Sequence, residues 1–304
     1  MSRDLAHESA PGRRFILVVI VAVVSLLAKL VFSYHVFGTN DMMYWMDFSR
    51  IIQQAGTFKI YGLVKMYNHP PLVSWMLKVI AWLSEETGLV FPFVFRLVPI
   101  LADFAGVFVL WKLLGKYRAE HKMTICVICA LNPVNFFISA FHGNTDPLFV
   151  FLVLLSIYLV ETRSFVPAGV IYGLSLCVKV VPLILIPAYF LGLPERRSRI
   201  LFFLSASIIP ILSFTPYMLT ETKDVVQNIF GYGSYGGSWG IGYVLRLMAH
   251  SKSLPWDLPT VGRFLYTLHL SCGKYLILVL IMTCAKFSMA TRKTNLLQNV
   301  LLSL

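Results

Sequence analysis

The chain has 304 residues, 58% of them hydrophobic and 13% charged, with a mean hydropathy of +0.75 and a formal net charge of +12. Soluble domains carry about 45–50% apolar and ~25% charged residues, so this composition excludes a soluble domain and describes a polytopic membrane protein. The positive charge does not point to nucleic acid, because Lys and Arg fall in short clusters between apolar runs, the arrangement that orients membrane spans.

Arg3, Arg13 and Arg14 precede an apolar run over 15–37. That run is longer than the ~7–15 residues of a signal-peptide core and lacks an A-x-A site, so it reads as a retained first span with a cytoplasmic N-terminus. Lys112, Lys116, Arg118 and Lys122 form the next basic cluster, on the same side by the same rule. A single crossing over 92–114 then separates them from a first external loop over 38–91. Inside that loop Trp45, Phe48, Ile51, Ile52 and Ala55 recur at helical spacing opposite Asp47, Arg50, Gln53 and Gln54, the pattern of a helix lying on the membrane surface. The run 72–83 after Pro70-Pro71 spans only ~18 Å of a ~30 Å core and reads as interfacial or re-entrant.

The segment 123–141 leads outward to His142-Gly143-Asn144-Thr145-Asp146, and 147–160 returns to Arg163. Half-length helices over 165–178 and 181–193 follow, turning at Lys179 and Pro182, as helices do when they line a cavity. The stretch 200–219 enters a second external loop over 220–273, and 274–290 returns to Arg292 and Lys293. This reading is an all-α, multi-pass integral membrane protein: one transmembrane domain over 1–304 with about eight crossings, interfacial helices in its first loop, and polar motifs on the external or luminal side. The five cysteines lie mostly in apolar runs and read as buried thiols, Cys126-Val-Ile-Cys129 included.

Candidate chemistry gathers at the ends of these runs. Asp41, in Gly38-Thr39-Asn40-Asp41-Met42-Met43-Tyr44-Trp45, reads either as a helix N-cap or as a general base that takes the proton of a sugar hydroxyl. Asp47 is the second acid, with a solvated role favoured by its polar helix face. Tyr67-Asn68-His69-Pro70-Pro71 reads either as a helix start with Pro in its first positions or as a hydroxyl or phosphate contact through Asn68 and His69. In the His142 to Asp146 turn, His142, Asn144 and Asp146 lie between two spans, where idle polar groups are costly. Lys179 reads either as a cation that snorkels to the headgroups or as a contact to a phosphate leaving group, a role that Arg246 and His250 also suit. Asp41, His69, His142 and Asp146 could share a divalent cation, but no ligand spacing supports it, and no cofactor is assigned. The glycine-rich stretch 231–242 contains a formal G-x-G-x-x-G without the βαβ context it requires. It reads either as a plain linker or, through Tyr232, Tyr235 and Trp239, as a lid whose rings stack on a sugar.

Together these residues resemble the GT-C superfamily of integral membrane glycosyltransferases. The resemblance rests on Asn40-Asp41 after the first span, the long first loop, the Tyr-Asn-His-Pro-Pro-Leu turn and the His-Gly-Asn-Thr-Asp turn, over roughly residues 15–219. It implies a hexose, mannose or glucose, carried on a polyprenyl phosphate, a lipid or glycan acceptor, and inverting displacement. By that resemblance Asp41 would be the base and His69, His142 and Lys179 phosphate or sugar contacts; Tyr44, Trp45, Asn68, Asn144, Asp146, Trp239 and Arg246 are further candidate substrate contacts read from the residues themselves. Members of the superfamily have more spans than are read here, so the chain is expected to be C-terminally short and to lack part of the donor-lipid pocket. A transporter or lipid flippase built on the broken helices around Lys179 is the alternative, and it calls for an inverted repeat that the sequence does not show.

Overall fold

The computed structural model describes residues 11–117, 119–231, 240–250 and 258–290. No strand occurs among them, and the helices follow the apolar runs closely. Four are long and apolar enough to cross a membrane: Gly12–His35, Phe91–Lys116, Lys122–His142 and Arg196–Phe230. The other expected crossings are also helical. Residues 147–160 lie in a helix over Asp146–Glu161, 165–178 coincide with Phe165–Val178, and 181–193 form Val181–Leu185 and Ile186–Gly192. The stretch 274–290 is the second half of Leu258–Ala290.

The chain was read as one domain; its internal contacts divide into two compact units, 1–183 with 195–229 and 184–194 with 230–304. The first unit opens with α1 (Pro11–His35), whose Ile16, Ile20, Val24, Leu27 and Val31 form an exposed stripe suited to lipid. Next come α2 (Asn40–Ala55), the short α3 (Ile60–Leu63), α4 (Pro71–Thr87) and α5 (Phe91–Lys116). On α2 the buried side chains are Met42, Trp45, Phe48, Ser49 and Ile52, the face marked by the periodicity, while Asp47 and Arg50 pair in solvent. Helix α4 is longer than the apolar run suggests, because Ser84 to Thr87 continue it until Gly88 ends it in the left-handed conformation. Proline occupies its first turn, where the missing N–H costs nothing.

Helices α6 (Lys122–Leu131) and α7 (Pro133–Phe137) run into a π-helical turn, Ile138–His142, before α8 (Asp146–Glu161) and α9 (Phe165–Val178). Helix α9 packs against α8 and against the long helix of Arg196–Val225. That last helix starts with a reciprocal capping box between Glu195 and Ser198 and breaks helical geometry at Glu221. Its far end holds the first loop: Gly62 N–H donates to Glu221 Oε2 at 2.7 Å, Lys65 pairs with Asp224, and Asn228 Nδ2 donates to the carbonyls of Tyr61 and Val64 at 3.0 and 3.1 Å. Beneath these bonds, Trp45, Phe48, Tyr61, Tyr67, Leu77, Phe95 and Tyr217 form the apolar floor of the loop.

The second unit contains Ile186–Gly192 (α10) and, after Arg196–Val225 (α11) of the first unit, Gly240–His250 (α12) and Leu258–Ala290 (α13). Both α10 and α12 pack on α13, with His250 and Tyr266 ring centroids 6.2 Å apart. The region 220–273, expected to be loop, therefore carries α12 and the first half of α13. The crossing expected over 274–290 is the second half of a helix that begins at Leu258.

Candidate active site

The first turn of α2 organises the candidate site. Helix α1 ends at His35, Gly38 adopts φ +105°, and Thr39 in extended conformation precedes Asn40. Thr39 makes no side-chain cap; its Oγ1 instead lies 2.9 Å from His142 Nδ1. Asp41 thus sits inside the first turn and is not the cap, at the end of the helix where unpaired N–H groups favour negative charge. Its Oδ2 is 3.1 Å from His142 Nε2. One tautomer satisfies both contacts: Nε2–H donates to Asp41, and Nδ1 accepts from the Thr39 hydroxyl. The Asp41 side chain remains 52% exposed and that of His142 33%, so the pair is open to a ligand.

The same two turns of α2 reach the other motifs. Met42 packs against Gly143, whose φ of +69° favours glycine. Trp45, almost wholly buried, lies over the His69 ring at 4.4 Å and against Phe95 at 4.8 Å. Tyr61 donates to the His69 carbonyl at 2.6 Å, and Tyr67 packs edge-on to the same imidazole at 5.6 Å. Burial, followed by the charge of Lys179, pushes the His69 imidazole down to about 3, so it is neutral at physiological pH. Burial also raises the Tyr61 and Tyr67 hydroxyls above the usual tyrosine range.

Lys179 follows the last residue of α9 in extended conformation, which frees its side chain from the helix. It forms an ion pair with Asp146 in the first turn of α8 and lies over the Phe149 ring at 5.7 Å. Both members are about one-third exposed, at 30% and 34%. Asn144 Oδ1 accepts from the Asp146 N–H at 3.2 Å and shapes that turn. Asn68 is half-buried beside His69, and Tyr44 is exposed on α2.

Asp41, Trp45, His69, His142, Asp146 and Lys179 are therefore gathered in one region of the first unit. Arg246 is not among them: it is exposed on α12 of the second unit, where its carbonyl lies 3.0 Å from His250 Nδ1. Trp239, with Tyr232 and Tyr235, lies outside the described residues. Among the described residues no three His, Cys, Asp or Glu side chains are grouped to hold a metal ion.

Two features escaped the sequence reading. Arg96 on α5 is fully buried; its Nη1 shares two hydrogens among the carbonyls of Ser33 and Val36 at 3.0 Å each and Ala140 at 3.2 Å, and Nη2 donates to Phe37. Lys29 on α1 pairs with Asp103 on α5, side chains 5% and 15% exposed. A charge inside an apolar run was the available signal for both.

Comparison with known proteins follows the same lines. A family model described as Mannosyltransferase (PIG-M) matches residues 138–246, which include the His142 turn and Lys179. In sequence the chain is thus similar to membrane glycosyltransferases of the GT-C type, as its motifs suggested, and among these to mannosyltransferases. It is 31% identical over 153 residues to the GPI mannosyltransferase 1 of Eremothecium gossypii, covering 50% of this chain and 34% of that protein. The GPI mannosyltransferase 1 of Kluyveromyces lactis is 27% identical over 177 residues, and that of Debaryomyces hansenii 25% over 179, each over 55% of this chain and 42% of the relative. The chain therefore spans well under half the length of these curated relatives. No solved structure matches it.

Proposed function

We propose that the chain carries the catalytic face of a membrane mannosyltransferase, which moves mannose from a polyprenyl-phosphate donor to a lipid-linked glycan on the external or luminal side. The observation that carries this reading is the half-exposed Asp41 held at 3.1 Å by His142. The mannosyltransferase relatives and the basic clusters on the opposite ends of the spans support it.

Displacement proceeds in one step. The acceptor oxygen attacks C1 of the sugar from the face opposite the phosphate, the new C1–O bond forms as the C1–O bond to phosphate breaks, and the electron pair leaves with the phosphate. The hydroxyl proton passes to Asp41, whose Oδ1 is free for it while Oδ2 faces His142. His142 fixes the carboxylate and stabilises its charge before transfer. Lys179 receives the departing phosphate by exchanging Asp146 for it. Neutral His69, stacked under Trp45, can donate a hydrogen bond to the sugar or the phosphate without adding a charge.

Transfer of mannose in membranes containing the Asp41→Asn protein is the direct test. Loss of the base is expected to slow transfer by about 100-fold or more at unchanged protein level. Transfer at the wild-type rate would remove Asp41 from the chemistry.

A further inference from the structure

We infer that Arg96 is the positioning residue that brings the Asp41 loop and the His142 turn into register; the inference rests on the proposed role of that pair. Helix α1 ends at His35 with carbonyls that have no partner within the helix. The Arg96 guanidinium collects three of the carbonyls at this end, those of Ser33, Val36 and Phe37, and pairs with no carboxylate among the described residues. The negative end of the α1 dipole supplies the counter-charge that a buried cation requires.

The fourth acceptor is what gives the arrangement its consequence. Ala140 belongs to the π-helical turn Ile138–His142 and lies two residues before His142. Phe37 lies four residues before Asp41. One planar group thus fixes the backbone on both sides of the Asp41–His142 contact, which itself is a single 3.1 Å distance between two part-exposed side chains. π-Helical turns are rare, and this one ends at His142, whose ring meets Thr39 and Asp41 at the start of α2.

Packing leaves the junction no slack. A Cβ at Gly38 would stand 2.5 Å from the Phe141 carbonyl oxygen and 2.9 Å from Arg96 Nη2, and one at Gly143 would stand 3.4 Å from Arg96 Cγ. Lysine retains the charge but has no planar fork to span four carbonyls, so Arg96→Lys should restore only part of what Arg96→Gln loses.

The test uses one readout that needs no turnover and one that does. In the first, Asp41→Cys and His142→Cys are combined and bridged in membranes by a short bifunctional thiol reagent, with each single variant controlling for the native cysteines. Bridging is expected with Arg96 present, to fall several-fold with Arg96→Gln, and to return in part with Arg96→Lys. In the second, Asp41 and His142 are intact and mannose transfer is followed. Arg96→Gln is expected to lower kcat on the order of 100-fold while donor KM stays within about twofold, as misplacement of reacting groups does. Wild-type bridging and kcat in Arg96→Gln overturn the inference. If bridging falls but even the wild-type chain transfers no mannose, Arg96 keeps its role and the enzymatic reading is the one overturned. Should Arg96→Gln fail to accumulate, Gly38→Ala disturbs the same junction with the arginine present; wild-type bridging there overturns the inference equally.

Discussion

Two lysine–aspartate pairs in the same unit show how surroundings decide what a charge can do. Lys29 and Asp103 join α1 to α5 with side chains 5% and 15% exposed, and Ser139 Oγ lies 3.4 Å from the same Asp103 oxygen. Lys179 and Asp146 join the break after α9 to the first turn of α8, each about one-third exposed. The first pair is much the more buried and lines a small cavity with Ser25, Ile100, Phe104 and Cys129, which leaves neither member ready to exchange its partner for a ligand. The second can, because its ammonium is open to solvent before any bond within the protein is lost.

Breaking the more buried pair should have the larger effect on folding. Asp103→Leu leaves Lys29 buried without a counter-charge, which costs about 3–5 kcal/mol, whereas Lys29→Met with Asp103→Leu removes both charges and should be near neutral. Thermal unfolding of the solubilised protein measures both, and a double variant as unstable as the single one would show that the pair does more than neutralise itself.

At the open pair the loss should appear in catalysis. Lys179→Met is expected to weaken transfer by roughly 10- to 100-fold, the worth of about 1.5–3 kcal/mol for a charged hydrogen bond. Unfolding should change less than at Lys29, since Asp146 stays solvated when its partner is gone. Equal losses of stability at Lys29 and Lys179 would erase the distinction between the pairs.

Protonation of His69 adds a smaller effect beside the open pair. Its folded value is pushed down to about 3 by burial, while an unfolded histidine titrates near ~6.5. As pH falls below ~6.5 the unfolded chain takes up a proton that the folded chain refuses, so stability is full above that value and declines toward ~3. His69→Gln should flatten the fall in Tm between pH 7 and 5. An unchanged slope would assign acid sensitivity to other groups.

How much of this was legible in the sequence follows from how local each cause is. The buried face of α2 and the break at Lys179 are written within a few residues, as period and as interruption, and both were read correctly. The meeting of Asp41 with His142 required only that two apolar runs end at the same level. The role of Arg96 was not legible although its charge within an apolar run was, because its partners are backbone carbonyls up to 63 positions away and a carbonyl has no signature in the sequence. Glu221, Asp224 and Asn228 were missed for a related reason: their partners in and beside α3 lie 159 or more positions away, and helix α11 and the π-helical turn Val226–Phe230 after it continue past the apolar run to carry them. Lys29 and Asp103 were visible as charges within apolar runs; only their pairing needed the fold.

The smallest expected effect separates the two acids of α2. Six residues at ~100° each turn Asp47 roughly 240° around the helix from Asp41, which carries it off the face that meets His142. There it pairs with Arg50 at 2.6 Å, side chains 53% and 65% exposed. Such a pair is worth about 0.2–1 kcal/mol, reduced further by salt. Asp47→Asn should therefore leave transfer within about twofold of the wild type and stability within ~1 kcal/mol. The contrast with Asp41→Asn is the informative quantity, because both replacements remove one carboxylate from the same helix and alter net charge equally. Comparable losses from both would mean that the field of the loop acts on the substrate and not a positioned base, and the 3.1 Å contact with His142 would no longer explain the site.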